Sequence, residues 1–145
     1  MPRDDALRCV VPLSNMYRDS KIIFRGTLMK YILLIHHEEA IDEEERRPLL
    51  EESIQLANQL HKKGQYLDAA PLQPTSATIS VKVRDGKRHV IDGPFAETRE
   101  QIGGYFLIEA KNLDEAIDIA GRIPGARIGT VEVRPVREVD GLPKK

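Results

Sequence analysis

Asp92-Gly93-Pro94-Phe95-Ala96-Glu97-Thr98-Arg99-Glu100-Gln101-Ile102-Gly103-Gly104-Tyr105-Phe106-Leu107-Ile108 is the stretch on which the reading of this chain turns. A strand-like run ends at Ile91, and a carboxylate, a glycine, a proline and an aromatic follow it. Glycine before proline bends the backbone in a way few other pairs allow, because proline fixes its own φ and restricts its predecessor. Asp92 at the head of the bend can bond backbone N–H groups further round it. The plain reading is a structural turn. The functional reading is a rigid loop whose Asp92, Gly93, Pro94 and Phe95 form one wall of a ligand pocket. After the loop, the pair Gly103-Gly104 suits a bulge or a close approach, and Tyr105–Ala110 then reads as a strand apolar on both faces.

Working upstream, Ile79, Val81 and Val83 alternate with Ser80, Lys82 and Arg84 before Asp85-Gly86, and His89-Val90-Ile91 returns: a β-hairpin. Gln65–Ala70 is a short strand closed by Pro71 and Pro74. Before it, Leu50, Ile54, Ala57 and Leu60/His61 recur at helical spacing, with Lys62 and Lys63 at the C-terminal end and Gly64 placed as the C′ residue. Asp42 and Glu45 have capping-box spacing, but Pro48 predicts that the main helix begins near Arg47. Lys30–His36 is apolar at successive positions, as befits a strand covered on both faces. Downstream, Asn112 and Glu115 cap a helix that ends by Gly121 and Pro124. Ile128–Val136 alternates as a strand with one wet face.

The order is β-α-β, hairpin, β-α-β. With the hairpin set aside, this is the split βαβ pattern of a ferredoxin-like α+β fold: an antiparallel sheet with two helices on one face and an inserted β-hairpin. The first and third main strands lie centrally in that topology, and they are the two runs apolar on both faces. Helices cover one side. Either Tyr105 and Leu107 or Phe106 and Ile108 then face outward, and a large bare apolar surface is uncommon on a monomer. A homodimer packed through the open sheet face is the simplest cover.

The run DGPFAETREQIGGYFLIEA, with MKYILLI upstream and VEVRPV downstream, closely resembles the DGPF branch of the YCII-related family. The resemblance covers Met29 to about Val136 and implies a ferredoxin-like fold that dimerises as a dimeric α/β barrel. Residues 29–138 are accordingly taken as the domain, 1–28 as a poorly ordered N-terminal extension and 139–145 as a polar tail. Family members are similar in lacking an assigned reaction for the most part. Some carry a His-Asp pair on the first helix, proposed to act in acid/base chemistry. Aligned on Gly64-Gln65-Tyr66-Leu67, the histidine position falls near Ser53 and the aspartate position near Lys62, so the pair is not carried over. The resemblance also implies a regulatory role near extracytoplasmic-function sigma factors.

Composition narrows the classes. The chain has 145 residues, 41% apolar and 31% charged, which suits one globular domain with an adequate core. A formal net charge of −1 gives no electrostatic footprint for nucleic acid or an anionic membrane. The basic groups Arg46-Arg47, Lys62-Lys63 and Arg84/Lys87/Arg88 are dispersed among acids. The single cysteine, Cys9, leaves no disulfide to form within the chain and points to a reducing cytoplasm. No apolar run approaches the roughly 20 residues of a membrane span.

Few residues suggest chemistry. His36-His37-Glu38-Glu39 closes the first strand, and adjacent strand residues point to opposite faces, so at most one of His36 and His37 faces a given pocket. Metal binding would need His61, His89 or Asp92 to converge on them; no metal and no cofactor are expected. No GxSxG, P-loop, GxGxxG, CxxC or HExxH pattern occurs. The leading functional expectation is a small-ligand-binding or regulatory module. The alternative is a cleft enzyme doing acid/base or hydrolytic chemistry with Asp92 and His36 or His37. A sheet-face assembly module is the third.

Overall fold

A computed structural model describes residues 28–143. Most of the expected N-terminal extension, 1–27, and the last two residues of the tail lie outside the described residues. The elements are β1 (Met29–His37), α1 (Glu43–Lys62), β2 (Tyr66–Pro71), β3 (Ile79–Arg84), β4 (Lys87–Asp92), β5 (Gln101–Ala110), α2 (Leu113–Arg122), α3 (Gly125–Ile128) and β6 (Gly129–Pro135). The main sheet runs β2-β5-β1-β6, antiparallel throughout, while among the described residues β3 and β4 pair only with each other. This is the ferredoxin-like α+β fold with an inserted hairpin, and the two apolar runs are its central strands.

Pleating sorts the central strands into two faces. Tyr31 and Leu33 of β1 stand beside Ile108 and Phe106 of β5, and all four are buried. Leu56 and Leu60 of α1 and Ala116, Ile119 and Ala120 of α2 complete this core. Each large apolar side chain so buried contributes about 1.5–3 kcal/mol. Ile32, Leu34, Tyr105 and Leu107 point the other way, where no helix lies among the described residues, and are half-buried. Of the two pairs weighed from sequence, Tyr105 and Leu107 are thus the outward one.

Helix α1 starts four residues earlier than Pro48 suggested. The Asp42 carboxylate accepts the Glu45 N–H at 2.9 Å, and Glu43, Glu44 and Glu45 lie at the positive end of the helix dipole. Pro48 lies inside the helix, where its missing N–H forfeits the bond to the Glu44 carbonyl, and the helix tolerates it in its second turn. Asn112 caps α2 in the same way, accepting from Glu115 N–H at 2.9 Å. The hairpin turn takes positive φ at both Asp85 (50°) and Gly86 (70°), as a two-residue connection matched to strand twist requires.

Strand β5 begins at Gln101, so the glycine pair lies inside it. Ile35 pairs with Gly104 and His36 with Ile102, leaving Gly103 as the extra residue of a bulge. Both roles considered for the pair are present: a Cβ on Gly104 would stand 2.9 Å from the Ala70 carbonyl oxygen.

Candidate functional site

A cavity of about 490 Å³ opens between α1 and the helix-covered face of the sheet. It exists because α1 is anchored at one end only. Leu56 and Leu60 are its buried residues, while Leu50 and Ile54, nearer the helix N-terminus, are 42% and 53% exposed. The stripe read from periodicity therefore packs at its C-terminal end and lines the cavity at its N-terminal end. Ile35, Ala69 and Phe106 contribute from the strands, and Ala57 from α1. Pro71–Pro74 edges the opening.

Polar groups collect toward one side. His37, Glu39 and Arg46 line the cavity together. The Glu39 carboxylate is already committed: it accepts the Thr75 N–H at 2.7 Å and the Thr75 hydroxyl at 2.6 Å. Those two bonds, the hydroxyl first, hold its carboxyl below the ordinary range, and the charges of His37 and Arg46 act in the same direction. The pair also ties the β1–α1 connection to the segment that leads into the hairpin. Among the described residues Arg46 donates to the Ile41 carbonyl alone, at 3.4 Å. His37 Nδ1 lies 2.8 Å from the Glu38 carbonyl oxygen.

Ser53, which stands where some relatives have the dyad histidine, lines the cavity, and its hydroxyl donates to the Leu49 carbonyl at 2.9 Å. Lys62 does not line it. The helix-borne acid/base pair therefore has no counterpart in this cavity. His61 is exposed at the cavity edge, with its ring edge-on to Tyr66 at 6.1 Å between centroids.

The other sequence candidates lie elsewhere. His36 is on the open face of the sheet, its Nε2 3.3 Å from Glu132. Glu132 is also paired with Arg134, and that hydrogen bond, with His36 second, keeps its carboxyl low. On the same face the Tyr105 hydroxyl donates to Asp68 at 2.9 Å, which together with desolvation pushes the Tyr105 phenol up. Asp92 ends β4, exposed, and among the described residues its carboxylate has no hydrogen-bond partner. The bend after it is held by backbone instead. Gly93, at φ +96°, donates its N–H to the Thr78 carbonyl at 2.8 Å, and its own carbonyl accepts from Ser80 Oγ at 2.7 Å. Phe95 is 82% exposed, with the Lys82 ammonium 5.5 Å from its ring centre. None of residues 92–95 lines the cavity. Among the described residues no group of three or more His, Cys, Asp or Glu side chains is placed to hold a metal ion, and no helix is long and apolar enough to cross a membrane.

From sequence Glu39 was noted only as the end of the cluster that closes the first strand and Arg46 only as dispersed charge, and Thr75 was not singled out. Their convergence needs the β1–α1 connection and the segment after β2 to meet, which no local pattern encodes. His37 was legible because strand alternation separates it from His36.

Two comparisons bear on descent. A protein of Rhizobium meliloti (strain 1021), described as uncharacterised, is 33% identical over 114 residues, spanning 74% of this chain and 92% of the relative. The YCII-related domain matches residues 29–140, which take in the whole main sheet, the helices over it, the hairpin and the cavity. With the split βαβ topology and the matched residues in agreement, the chain belongs to the YCII-related family.

Proposed function

We propose that this protein is a cytoplasmic small-ligand-binding module that works as a homodimer, with the ligand seated in the cavity beneath α1. The observation that carries this reading is the cavity itself. Its size falls in the range of small-molecule sites, its walls are mainly apolar, and a few polar groups converge at one side. A ligand there would bridge α1 and the sheet, so occupancy would be felt by a helix that packs on the core at its C-terminal end only. That coupling suits a regulatory role, the one implied by resemblance to sigma-factor neighbours. The dimer reading rests on the uncovered face, where Ile32, Leu34 and Leu107 form an apolar centre between two polar edges.

Acid/base catalysis is the second reading, and His37 on the cavity wall is the observation that favours it. His36 lies on the opposite face of the sheet and Asp92 outside the cavity, so in this reading His37 is the histidine that acts.

A thermal-shift screen of the full chain against a broad metabolite set tests the ligand site. A ligand at a hundred times its dissociation constant adds about 2.7 kcal/mol of stability. A hit that is kept in Asp92→Asn and lost in Ala57→Phe, which fills the cavity, supports the reading. A hit kept in Ala57→Phe and lost in Asp92→Asn moves the site to the loop at 92–95. No shift with any compound, in folded protein, rejects a ligand-binding role. Sedimentation equilibrium of Leu107→Arg tests the dimer: a monomer is expected beside a dimeric parent.

A further inference from the structure

His36 and His37 are chain neighbours with opposite circumstances. His36 Nε2 faces Glu132, whereas His37 has Nδ1 beside a neutral carbonyl and is one of the residues that line the cavity. That carbonyl decides the tautomer. A backbone carbonyl oxygen only accepts, so the ring nitrogen 2.8 Å from the Glu38 oxygen, Nδ1, must carry the proton. In the neutral imidazole Nε2 is then a bare acceptor, and among the described residues it has no hydrogen-bond partner.

The ring is also given its place. A Cβ on Gly103 would stand 2.2 Å from His37 Nε2, 2.9 Å from Cδ2 and 3.0 Å from Cε1. Real Cβ atoms do not approach that closely, so the imidazole occupies space that is free because residue 103 has no side chain. Gly103 is the extra residue of the β5 bulge as well, which puts the irregularity of the strand at the point where the ring lies over it. Each oxygen of the neighbouring Glu39 carboxylate already accepts one hydrogen bond from Thr75, and the other charged group on this side of the cavity is the Arg46 guanidinium.

We propose that His37 Nε2 is the hydrogen-bond acceptor that selects the ligand in this cavity, and that the ligand is a small, mainly apolar molecule carrying a neutral hydroxyl of the phenol or enol class. The inference rests on the cavity being the ligand site. Apolar walls accept the body of such a molecule, Nε2 accepts its hydroxyl proton in a hydrogen bond, and Arg46 favours the partial negative charge left on oxygen. A simple carboxylate fits less well, because it brings only acceptors to a nitrogen that is itself an acceptor. Gly103 acts through His37, as a positioning residue.

The test compares phenol with toluene, two probes of nearly equal shape, by protein-observed NMR titration of the full chain, His37→Leu and Gly103→Ala. One hydrogen bond worth 1.4 kcal/mol is tenfold in affinity. The phenol-to-toluene affinity ratio is therefore expected to fall about tenfold in His37→Leu, with toluene binding kept as proof that the cavity survives. Gly103→Ala is expected to lower the ratio in the same direction by displacing the ring. If both probes bind and the ratio is the same in parent and His37→Leu, the selection role is overturned and the cavity reading stands. If neither probe binds the parent, the cavity reading fails and this inference fails with it. A readout free of mutation is the nitrogen-15 spectrum of the His37 ring at about pH 8.5, where imidazoles are neutral. An Nδ1-protonated ring is expected, and an Nε2-protonated ring overturns the proposal.

Discussion

The two faces of the main sheet are built from the same four strands and differ in almost everything else. On one, Tyr31, Leu33, Phe106 and Ile108 are closed over by α1 and α2. On the other, Ile32, Leu34 and Leu107 sit between two polar arrangements, Tyr105 with Asp68 toward the β2 edge and His36 with Glu132 and Arg134 toward the β6 edge. The contrast explains why β1 and β5 read as unbroken apolar runs. Residues of one parity belong to a core closed by α1 and α2, and residues of the other parity are apolar with no helix over them among the described residues. Neither face is uniform. The covered face has an unfilled end where α1 stands away from the strands, and the open face carries titratable groups with defined partners.

The comparison can be broken most sharply with neighbouring residues. Ile108→Ala is expected to cost about 3–4 kcal/mol in urea denaturation, because it empties a fully buried site under the helices. Leu107→Ala, measured at a protein concentration low enough to keep chains apart, is expected to cost about 1 kcal/mol or less. Equal losses would mean that the two faces are equally enclosed. Next in size is Gly129→Ala: its Cβ would meet the His36 carbonyl oxygen at 2.0 Å, a backbone atom that cannot turn aside, and a loss of about 2–3 kcal/mol is expected. Asp42→Ala removes the cap that carries α1 past Pro48, and about 1 kcal/mol should go with it.

Two smaller effects are read by pH, one on each face. The Glu39 carboxyl, held low by Thr75, contributes stability that is present above its ordinary value of 4.5 and lost as pH falls through its lower folded value. Thr75→Val should remove much of that acid-dependent part while changing little of the rest, as urea titrations on either side of pH 4.5 would show. On the open face, Tyr105 has its phenol raised above 10.0, so its contribution is present below that pH and fades as pH rises through the folded value. In Asp68→Ala, ultraviolet titration should lose one late-ionising tyrosine. An unchanged curve would mean that the bond to Asp68 is not what holds the proton.

Features encoded within a few residues were legible in the chain. Asp85-Gly86 turns as its chemistry demands, Asn112 and Glu115 cap α2, and Gly64, at φ +71°, follows α1 as its C′ residue. The order of elements was enough to derive the sheet. The start of α1 was misplaced because a local rule about Pro48 was weighed against a local cap at Asp42, and the cap prevailed. The cavity had no signature at all. Leu50 and Ile54 carry the spacing of a packed stripe, and whether they touch the sheet depends on how far α1 leans from it. Glu39 and Thr75 are 36 residues apart, and Tyr105 and Asp68 are 37 apart, so their bonds become visible only once the fold is drawn. His37 and Gly103 are similar: each was noticed alone, and their mutual fit is a property of the bulge.

The hairpin has a kinetic consequence. Its strands share no ladder with the main sheet, every residue of β4 is exposed, and Ile79, Val81, Val83 and Val90 stand uncovered. An isolated two-stranded ribbon is marginally stable in water, so the hairpin is expected to open and close on its own account while the body stays folded. Backbone amides of 79–92 should trade hydrogen for deuterium orders of magnitude sooner than those of β1 and β5. A protease that nicks the chain at Asp85-Gly86 should leave a body that still melts as one unit. Any partner that covers the ribbon will declare itself first as a slowing of that exchange.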